Sequence, residues 1–171
     1  MQLEIINADI TELAVDAIVN TASKTLLGGS GIDGAIHKKG GSAILDACMA
    51  IRSIKGGCKT GEAVITTAGN LPAKFVIHTV GPVWQSNNKI QETLLANCYT
   101  NCLWLAVSNN IKTIAFPNIS TGVYRYPKKD AAKIAIQTVT NYAYNEKIDK
   151  VIFVCYDIEN FDIYKNIITN T

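Results

Sequence analysis

IVNTASKTLLGGSGIDGAIHKKGG, residues 18–41, is the stretch from which the fold can be read. A short apolar run, Ala17–Val19, has strand character and ends near Asn20. It breaks into a loop carrying Gly28, Gly29, Gly31 and Gly34 around Asp33 and His37. Glycine weakens regular structure, so a cluster of it needs a reason. The reasons available are a loose linker, a tight structural turn, or backbone that must approach a ligand closely. A helix begins around Asp33–His37. A glycine loop that feeds a helix N-terminus offers unobstructed N–H groups and the positive end of a helix dipole, a setting suited to phosphate.

Outward from this loop, short apolar runs alternate with longer helical patterns. Leu3–Ile6 and Ala17–Val19 read as strands. Ser42–Arg52 reads as a helix with Ser42 as N-cap and Ile44, Leu45, Cys48 and Ile51 on one face. Ala63–Thr66 and Phe75–Val80 are β-rich runs joined by the turn-like Ala68–Pro72, which predicts adjacent strands. Ile90 to about Ser108 is an amphipathic helix with Leu94, Leu95, Cys98, Cys102 and Leu105 inside. Thr113–Phe116 is a strand, Lys128 to about Tyr144 a helix, Lys150–Val154 a strand, and Asn160 to about Thr169 the last helix. Several strands are apolar on both faces, as strands covered by helices on each side must be. The expected architecture is a three-layer α/β/α sandwich around a mixed, largely parallel sheet. Ligands of such sheets bind beyond the carboxyl ends of the strands.

A second loop at a strand end supports this placement. Pro117-Asn118-Ile119-Ser120-Thr121-Gly122-Val123-Tyr124 follows Thr113–Phe116 and precedes a helix. Two such loops facing one crevice could hold a diphosphate between them. Neither matches the GxxxxGK[ST] spacing of a P-loop or a GxGxxG at a first βα turn, which argues against kinase-like and dinucleotide-dehydrogenase chemistry. Each residue also has a plainer reading. The glycines could serve a tight crossover, Ser120-Thr121-Gly122 a simple turn, and Asp33 a helix cap. His37, one helical turn beyond Asp33 on the same face, could be a structural group.

Composition narrows the class. The 171 residues suit one domain, and 48% of them are hydrophobic, enough for a full core. A net charge of +2, with acids and bases mixed along the chain, gives no support for nucleic-acid binding. The N-terminus lacks a basic segment followed by an apolar one, and no apolar run approaches a membrane span, so a cytoplasmic protein is expected. The five cysteines form no CxxC pair and are read as free thiols. Cys98 and Cys102 share a helix face but find no further paired ligands, so core packing is their expected role and no metal is expected.

The same residues resemble a known family. Val15–Asn20 followed by Leu27-Gly28-Gly29-Ser30-Gly31-Ile32-Asp33-Gly34-Ala35-Ile36-His37 looks like the signature of macrodomains. The likeness is greatest to bacterial ADP-ribosyl hydrolases and O-acetyl-ADP-ribose deacetylases. Thr60–Ala63, Val76–Trp84, Phe116-Pro117, Ile119–Tyr124 with Tyr126-Pro127, and Phe153–Asp157 agree with it, so the resemblance covers nearly the whole chain. It implies a single macrodomain over residues 1–171, without a cofactor or metal. The partners it implies are ADP-ribose, O-acetyl-ADP-ribose or an ADP-ribosylated protein. Asp9, in the Asn7-Ala8-Asp9-Ile10 turn, would accept the adenine amino group. The backbone of Gly29, Gly31 and Ile32 would wrap the ribose and phosphate side. Ser120, Thr121, Gly122, Val123 and Tyr124 would cradle the diphosphate, and Tyr156 would line the adenine side. Asn20 would sit near the distal ribose, with Asp33 orienting or deprotonating the attacking water and His37 supporting it.

Two departures bear on activity. The family motif usually reads Asn-Ala-Ala-Asn, whereas this chain has Asn20-Thr21-Ala22-Ser23, with Ser23 in the second Asn place. A hydroxyl offers less than a carbonyl and an NH2 together. The family loop usually reads Gly-Val-Tyr-Gly-Tyr-Pro, whereas here Arg125 stands in the second glycine place. Arg125 could pair with the diphosphate, point to solvent or crowd the distal ribose, and a left-handed backbone there would strain it. The expected function is therefore a metal-free hydrolase that acts on O-acetyl-ADP-ribose or on ADP-ribosylated acidic side chains. The alternative is an ADP-ribose reader with little turnover.

Overall fold

The computed structural model describes residues 1–86 and 89–171. Among them β1 (Gln2–Asn7) and β2 (Ala17–Thr21) come first, followed by α1 (Gly31–Gly40) and α2 (Ser42–Lys55). Next are β3 (Ala63–Thr67), β4 (Phe75–Thr79), α3 (Lys89–Ser108) and β5 (Thr113–Phe116). α4 (Lys128–Thr140), β6 (Lys150–Cys155) and α5 (Ile158–Thr169) complete the order. The sheet order is β1-β6-β5-β2-β4-β3, and only β3 runs antiparallel, against β4. The expected mixed, largely parallel sheet and the adjacency of β3 and β4 are both present.

Side chains alternate across this sheet with the period of two that a strand imposes. Ala17, Val19, Ile77, Ile114, Phe116, Val151 and Phe153 join the core beneath α3, α4 and α5. Ile18, Val76, Ala115, Ile152 and Val154 join a second core on the other face, with Ile36 of α1 and Ile44 and Cys48 of α2. The strands are apolar on both sides because each side is a helix-covered core. The cysteines are all free and buried, as core packing requires. No helix among the described residues is long and apolar enough to cross a membrane.

Three local readings change. Ser42 is the first residue of α2 rather than its cap. α1 ends at Gly40, so Gly41 alone, at φ 81°, turns the chain into α2. α3 buries Tyr99, Leu103 and Ala106 along with Leu95, Cys98 and Cys102, while Leu94 and Leu105 are only half-buried. It packs on both the sheet and α4, so its buried arc is wider than a single stripe. α4 stops at Thr140 instead of continuing to Tyr144, because the Asn145 side chain caps the Thr140 carbonyl at 3.0 Å.

The parallel strands bring their carboxyl ends to one edge. The segments after β1, β2, β4, β5 and β6 all leave from there, and they carry Asp9, the glycine loop, Gly81, Ser120–Tyr124 and Tyr156. Asn7 ties two of these exits together, its amide donating to the carbonyls of Cys155 at 2.9 Å and Tyr156 at 3.1 Å.

Candidate active site

Asp33 lies on the third residue of α1, with Ser30 at the N-cap position, so capping is not its role. It is 4% exposed, which is unusual for a carboxylate. Asn20, fully buried at the end of β2, donates from Nδ2 to Asp33 Oδ1 at 2.8 Å. His37, one turn along α1, places Nε2 3.4 Å from the same oxygen. Among the described residues Asp33 Oδ2 has no hydrogen-bond partner and faces Gly29. A Cβ on Gly29 would stand 3.1 Å from Oδ2, so glycine keeps that oxygen uncovered. Gly28 and Gly31 adopt φ of 90° and 61°, left-handed backbone that glycine takes without cost. The glycines are thus a tight turn that brings backbone against the Asp33 carboxylate.

Beneath Asn20 the site continues into the sheet. β2 and β4 pair in register so that Asn20 sits beside His78. Asn20 Nδ2 is 3.0 Å from His78 Nδ1, and Thr66 Oγ1 on β3 is 2.8 Å from His78 Nε2. Burial, followed by the neighbouring His37, pushes the His78 imidazole down to about 3, so it stays neutral. Cys48 Sγ lies 3.8 Å from His78 Nε2, and burial, with the Asp33 charge, pushes this thiol up to about 11. His37, Cys48 and His78 place possible metal-ligating atoms within 4.8 Å of one another. Both nitrogens of His78 already have hydrogen-bond partners, Asn20 and Thr66, so an ion there would have to displace one of them.

The second loop holds Ser120 at φ 67° and 7% exposure, with its Oγ lacking a partner among the described residues. A strained, buried serine between a strand and a helix is the kind of outlier that clusters at ligand sites. Tyr126 N–H donates to the Ser120 carbonyl at 2.9 Å, and Trp84 N–H donates to the Tyr124 carbonyl at 2.8 Å, which fix the loop to the segment after β4. Gly81 in that segment packs so tightly that a Cβ would collide with Ser120 Oγ. Thr121 and Tyr124 are half-buried, and Gly122 and Val123 are exposed. Arg125 takes φ 60° and is exposed. This is the left-handed backbone that strains a side chain at this position.

The other candidates separate. Asp9 caps the 3₁₀ turn Ile10–Glu12 through Thr11 and pairs with Lys39 at 3.1 Å, a structural role absent from the sequence reading. The Thr11 hydroxyl and amide, with Lys39, hold Asp9 below the usual carboxylate range. Ile10 is a core residue, Ile32 is half-buried and Tyr156 is 81% exposed at the end of β6. Ser23 turns to Thr25, with Oγ–Oγ1 at 3.0 Å, and makes no bond to Asp33. Three residues without an assigned role, His78, Thr66 and Gly81, belong to the site. The period-two parity of Val76 and His78 signalled a shared face, but the register that places His78 beside Asn20 is not written in either strand alone.

A buried carboxylate, bonded by an amide and approached by a histidine, thus lies beside two small-residue loops at the parallel strand ends. A family model described as Macro domain matches residues 19–135, and the chain belongs to this family. A Pantoea vagans protein named O-acetyl-ADP-ribose deacetylase 2 is 52% identical over 164 residues, covering 95% of this chain and 96% of its own. The Oceanobacillus iheyensis macrodomain solved with ADP superposes with a TM-score of 0.93 at 43% identity, covering 98% of this chain and 90% of that one. A Trypanosoma brucei macrodomain solved with ADP-ribose gives a TM-score of 0.85 at 34% identity, covering 98% and 69%.

Proposed function

We propose that this chain binds ADP-ribose across the carboxyl ends of its strands and hydrolyses an ester on the distal ribose. O-acetyl-ADP-ribose is the first substrate, and a protein ADP-ribosylated on an acidic side chain is the second. The observation that carries this reading is the Asp33 carboxylate: buried, bonded at Oδ1 by Asn20 with His37 Nε2 3.4 Å from the same oxygen, and bare at Oδ2 beside Gly29. Such an oxygen orients a water and accepts its proton as that water attacks the ester carbonyl. The adduct then collapses with cleavage of the bond from the acyl carbon to the ribose oxygen, the acid is released, and the proton held by Asp33 passes to the ribose oxygen to give the hydroxyl. Asn20 and His37 hold the carboxylate still, which is how positioned groups reduce the entropic barrier. The names of the relatives support the same chemistry. The diphosphate takes Ser120–Tyr124, with Arg125 beside it, the ribose and phosphate side takes Gly29, Gly31 and Ile32, and Asp9, Ile10 and Tyr156 serve the adenine end. Residues 1–171 act as one catalytic domain in the cytoplasm.

A second reading, an ADP-ribose reader with little turnover, is favoured by one observation. Ser23 bonds Thr25 and leaves the water without the second amide. Asp33→Ala separates the two. In the hydrolase reading it abolishes single-turnover hydrolysis of O-acetyl-ADP-ribose while calorimetry still shows ADP-ribose binding. Wild-type binding without turnover makes the chain a reader.

A further inference from the structure

We infer that Thr66 and His78 are positioning residues whose hydrogen bonds fix the amide of Asn20, and through it the carboxylate of Asp33, in a single orientation. The inference builds on the reading of Asp33 as the water-orienting group and extends the site two strands away from the cleft.

The direction of each bond follows from the proton inventory. Thr66 Oγ1 has one hydrogen, which it donates to the Thr67 carbonyl at 2.9 Å. Towards His78, 2.8 Å away, it then accepts, and the other end of the hydrogen-bond chain requires the same: the Asp33 carboxylate takes only a donor, so Asn20 turns its NH2 group to both Asp33 Oδ1 and His78 Nδ1. That places the imidazole proton on Nε2 and leaves Nδ1 bare. Nδ1 then accepts from Asn20 Nδ2 at 3.0 Å, and the other Nδ2 hydrogen goes to Asp33 Oδ1 at 2.8 Å. The planar NH2 group sets a fixed angle between its two acceptors, so Asp33 is located relative to β4 as well as α1. Asn20 and His78 are fully buried and Thr66 is 6% exposed, so water does not substitute for a lost partner. Cys48 Sγ, 3.8 Å from Nε2, offers only a weak alternative.

The opposite tautomer is incompatible with this arrangement. A proton on Nδ1 would confront the Asn20 N–H. The amide would have to turn over, which would aim its Oδ1 at the Asp33 carboxylate. Histidine tautomer and carboxylate orientation are therefore coupled, with the hydroxyl of Thr66 holding the pair from the sheet side and Asp33 from the helix side. Neutrality of His78 across the working pH range keeps the selection in force. The same arrangement leaves Asn20 Oδ1 buried without a partner among the described residues, so the amide is held by its NH2 group alone.

The test pairs Thr66→Val, which keeps the shape of the side chain and removes the acceptor, with Thr66→Ser, which restores a hydroxyl. Thr66→Val is expected to lower kcat for O-acetyl-ADP-ribose by at least about tenfold with KM changed by less than about threefold, because the attacking geometry and not the binding is disturbed. Thr66→Ser is expected to keep kcat within about threefold of wild type. Long-range proton–nitrogen NMR of the imidazoles reads the tautomer directly. Wild type is expected to show His78 protonated at Nε2, and Thr66→Val to show Nδ1–H or a mixture. Wild-type protonation at Nδ1, or an unchanged kcat in a folded Thr66→Val, overturns the relay. Should Thr66→Val fail to fold, the wild-type tautomer and the Thr66→Ser rate decide it. Should wild type turn over no substrate, the hydrolase reading fails, and the tautomers of wild type and Thr66→Val still decide whether Thr66 sets the orientation of Asn20.

Discussion

Asn20 Nδ2 donates to Asp33 Oδ1 at 2.8 Å, joining a strand end to the first turn of a helix thirteen residues further along the chain. Both partners are buried, so neither is satisfied by water if the other is lost. Asn20→Ala is therefore expected to cost about 1–3 kcal/mol of stability, the usual penalty for stranding a buried polar partner. It is also expected to slow hydrolysis at least about tenfold, since Asp33 is then held by His37 alone. Urea unfolding and single-turnover kinetics on the same preparation measure both effects.

His78 makes a pH prediction whose sign is fixed. Its folded-state value is pushed down to about 3, against an ordinary imidazole near 6.5. Between those values the unfolded chain binds more protons than the folded one, so stability is complete above about pH 6.5 and falls as the pH drops towards 3. The expected loss between pH 7 and pH 4 is about 3 kcal/mol. Asp9, Asp16 and Asp157, all held below the usual range, lose their contributions lower, as the pH falls through the carboxylate region. His78→Asn should flatten the dependence between pH 6.5 and 4 in urea unfolding. An unchanged slope there would show that His78 is not held neutral by burial.

The strands and both loops are legible in the sequence because each depends on neighbouring residues. Apolar runs mark the strands, and glycines mark the turn at Gly28–Gly31. Asp33 and His37 are legible as a pair because one helical turn separates them. His78 and Thr66 are not, because their place beside Asn20 depends on the β2–β4–β3 register, a long-range property. The Asp9–Lys39 pair escapes a local reading for the same reason, thirty residues separating the partners. Asp9–Thr11 and Ser23–Thr25 are contacts two residues apart, which the local sequence permits but does not single out from the other polar pairs around them.

Arg125 sits at φ 60°, where a side chain carries a steric penalty and glycine does not. Arg125→Gly is expected to stabilise the fold by up to about 1 kcal/mol, the relief being partly offset by the greater freedom of glycine in the unfolded chain. If the guanidinium reaches the diphosphate, the same change weakens ADP-ribose binding about threefold or more and makes it less sensitive to salt. Thermal unfolding reads the first effect, and calorimetry at two ionic strengths reads the second. A gain in stability with unchanged affinity would leave Arg125 pointing to solvent.

Ser23 pairs with Thr25 and not with Asp33. Ser23→Asn supplies both an amide donor and a carbonyl acceptor at the position where the family usually has them. It is expected to raise single-turnover hydrolysis of O-acetyl-ADP-ribose by about tenfold, the effect of one well-placed hydrogen bond. ADP-ribose affinity should move much less. An unchanged rate would mean that Ser23 already positions the water, or that Asp33, Asn20 and His37 suffice.

Two glycines near the second loop separate packing from ligand contact. A Cβ on Gly81 would collide with Ser120 Oγ and stand 2.8 Å from Ile119 Cγ2, whereas a Cβ on Gly122 meets nothing within 4 Å. Gly81→Ala must displace the loop, so it is expected to cost about 1–3 kcal/mol of stability and to weaken ADP-ribose binding together with it. Gly122→Ala has room in the free protein and no left-handed backbone to strain, so its stability should stay within about 0.5 kcal/mol of wild type. If the backbone around Gly122 lies against the diphosphate, the added methyl group nonetheless lowers affinity at least about tenfold, because close approach of main-chain N–H groups is lost. Stability by urea unfolding and affinity by calorimetry then give a pattern of four values. Loss of affinity in Gly122→Ala without loss of stability assigns Ser120–Tyr124 to the diphosphate. Unchanged affinity in a stable Gly122→Ala moves the diphosphate off this loop, and leaves Gly81 and Ser120 as a packing contact between two strand exits.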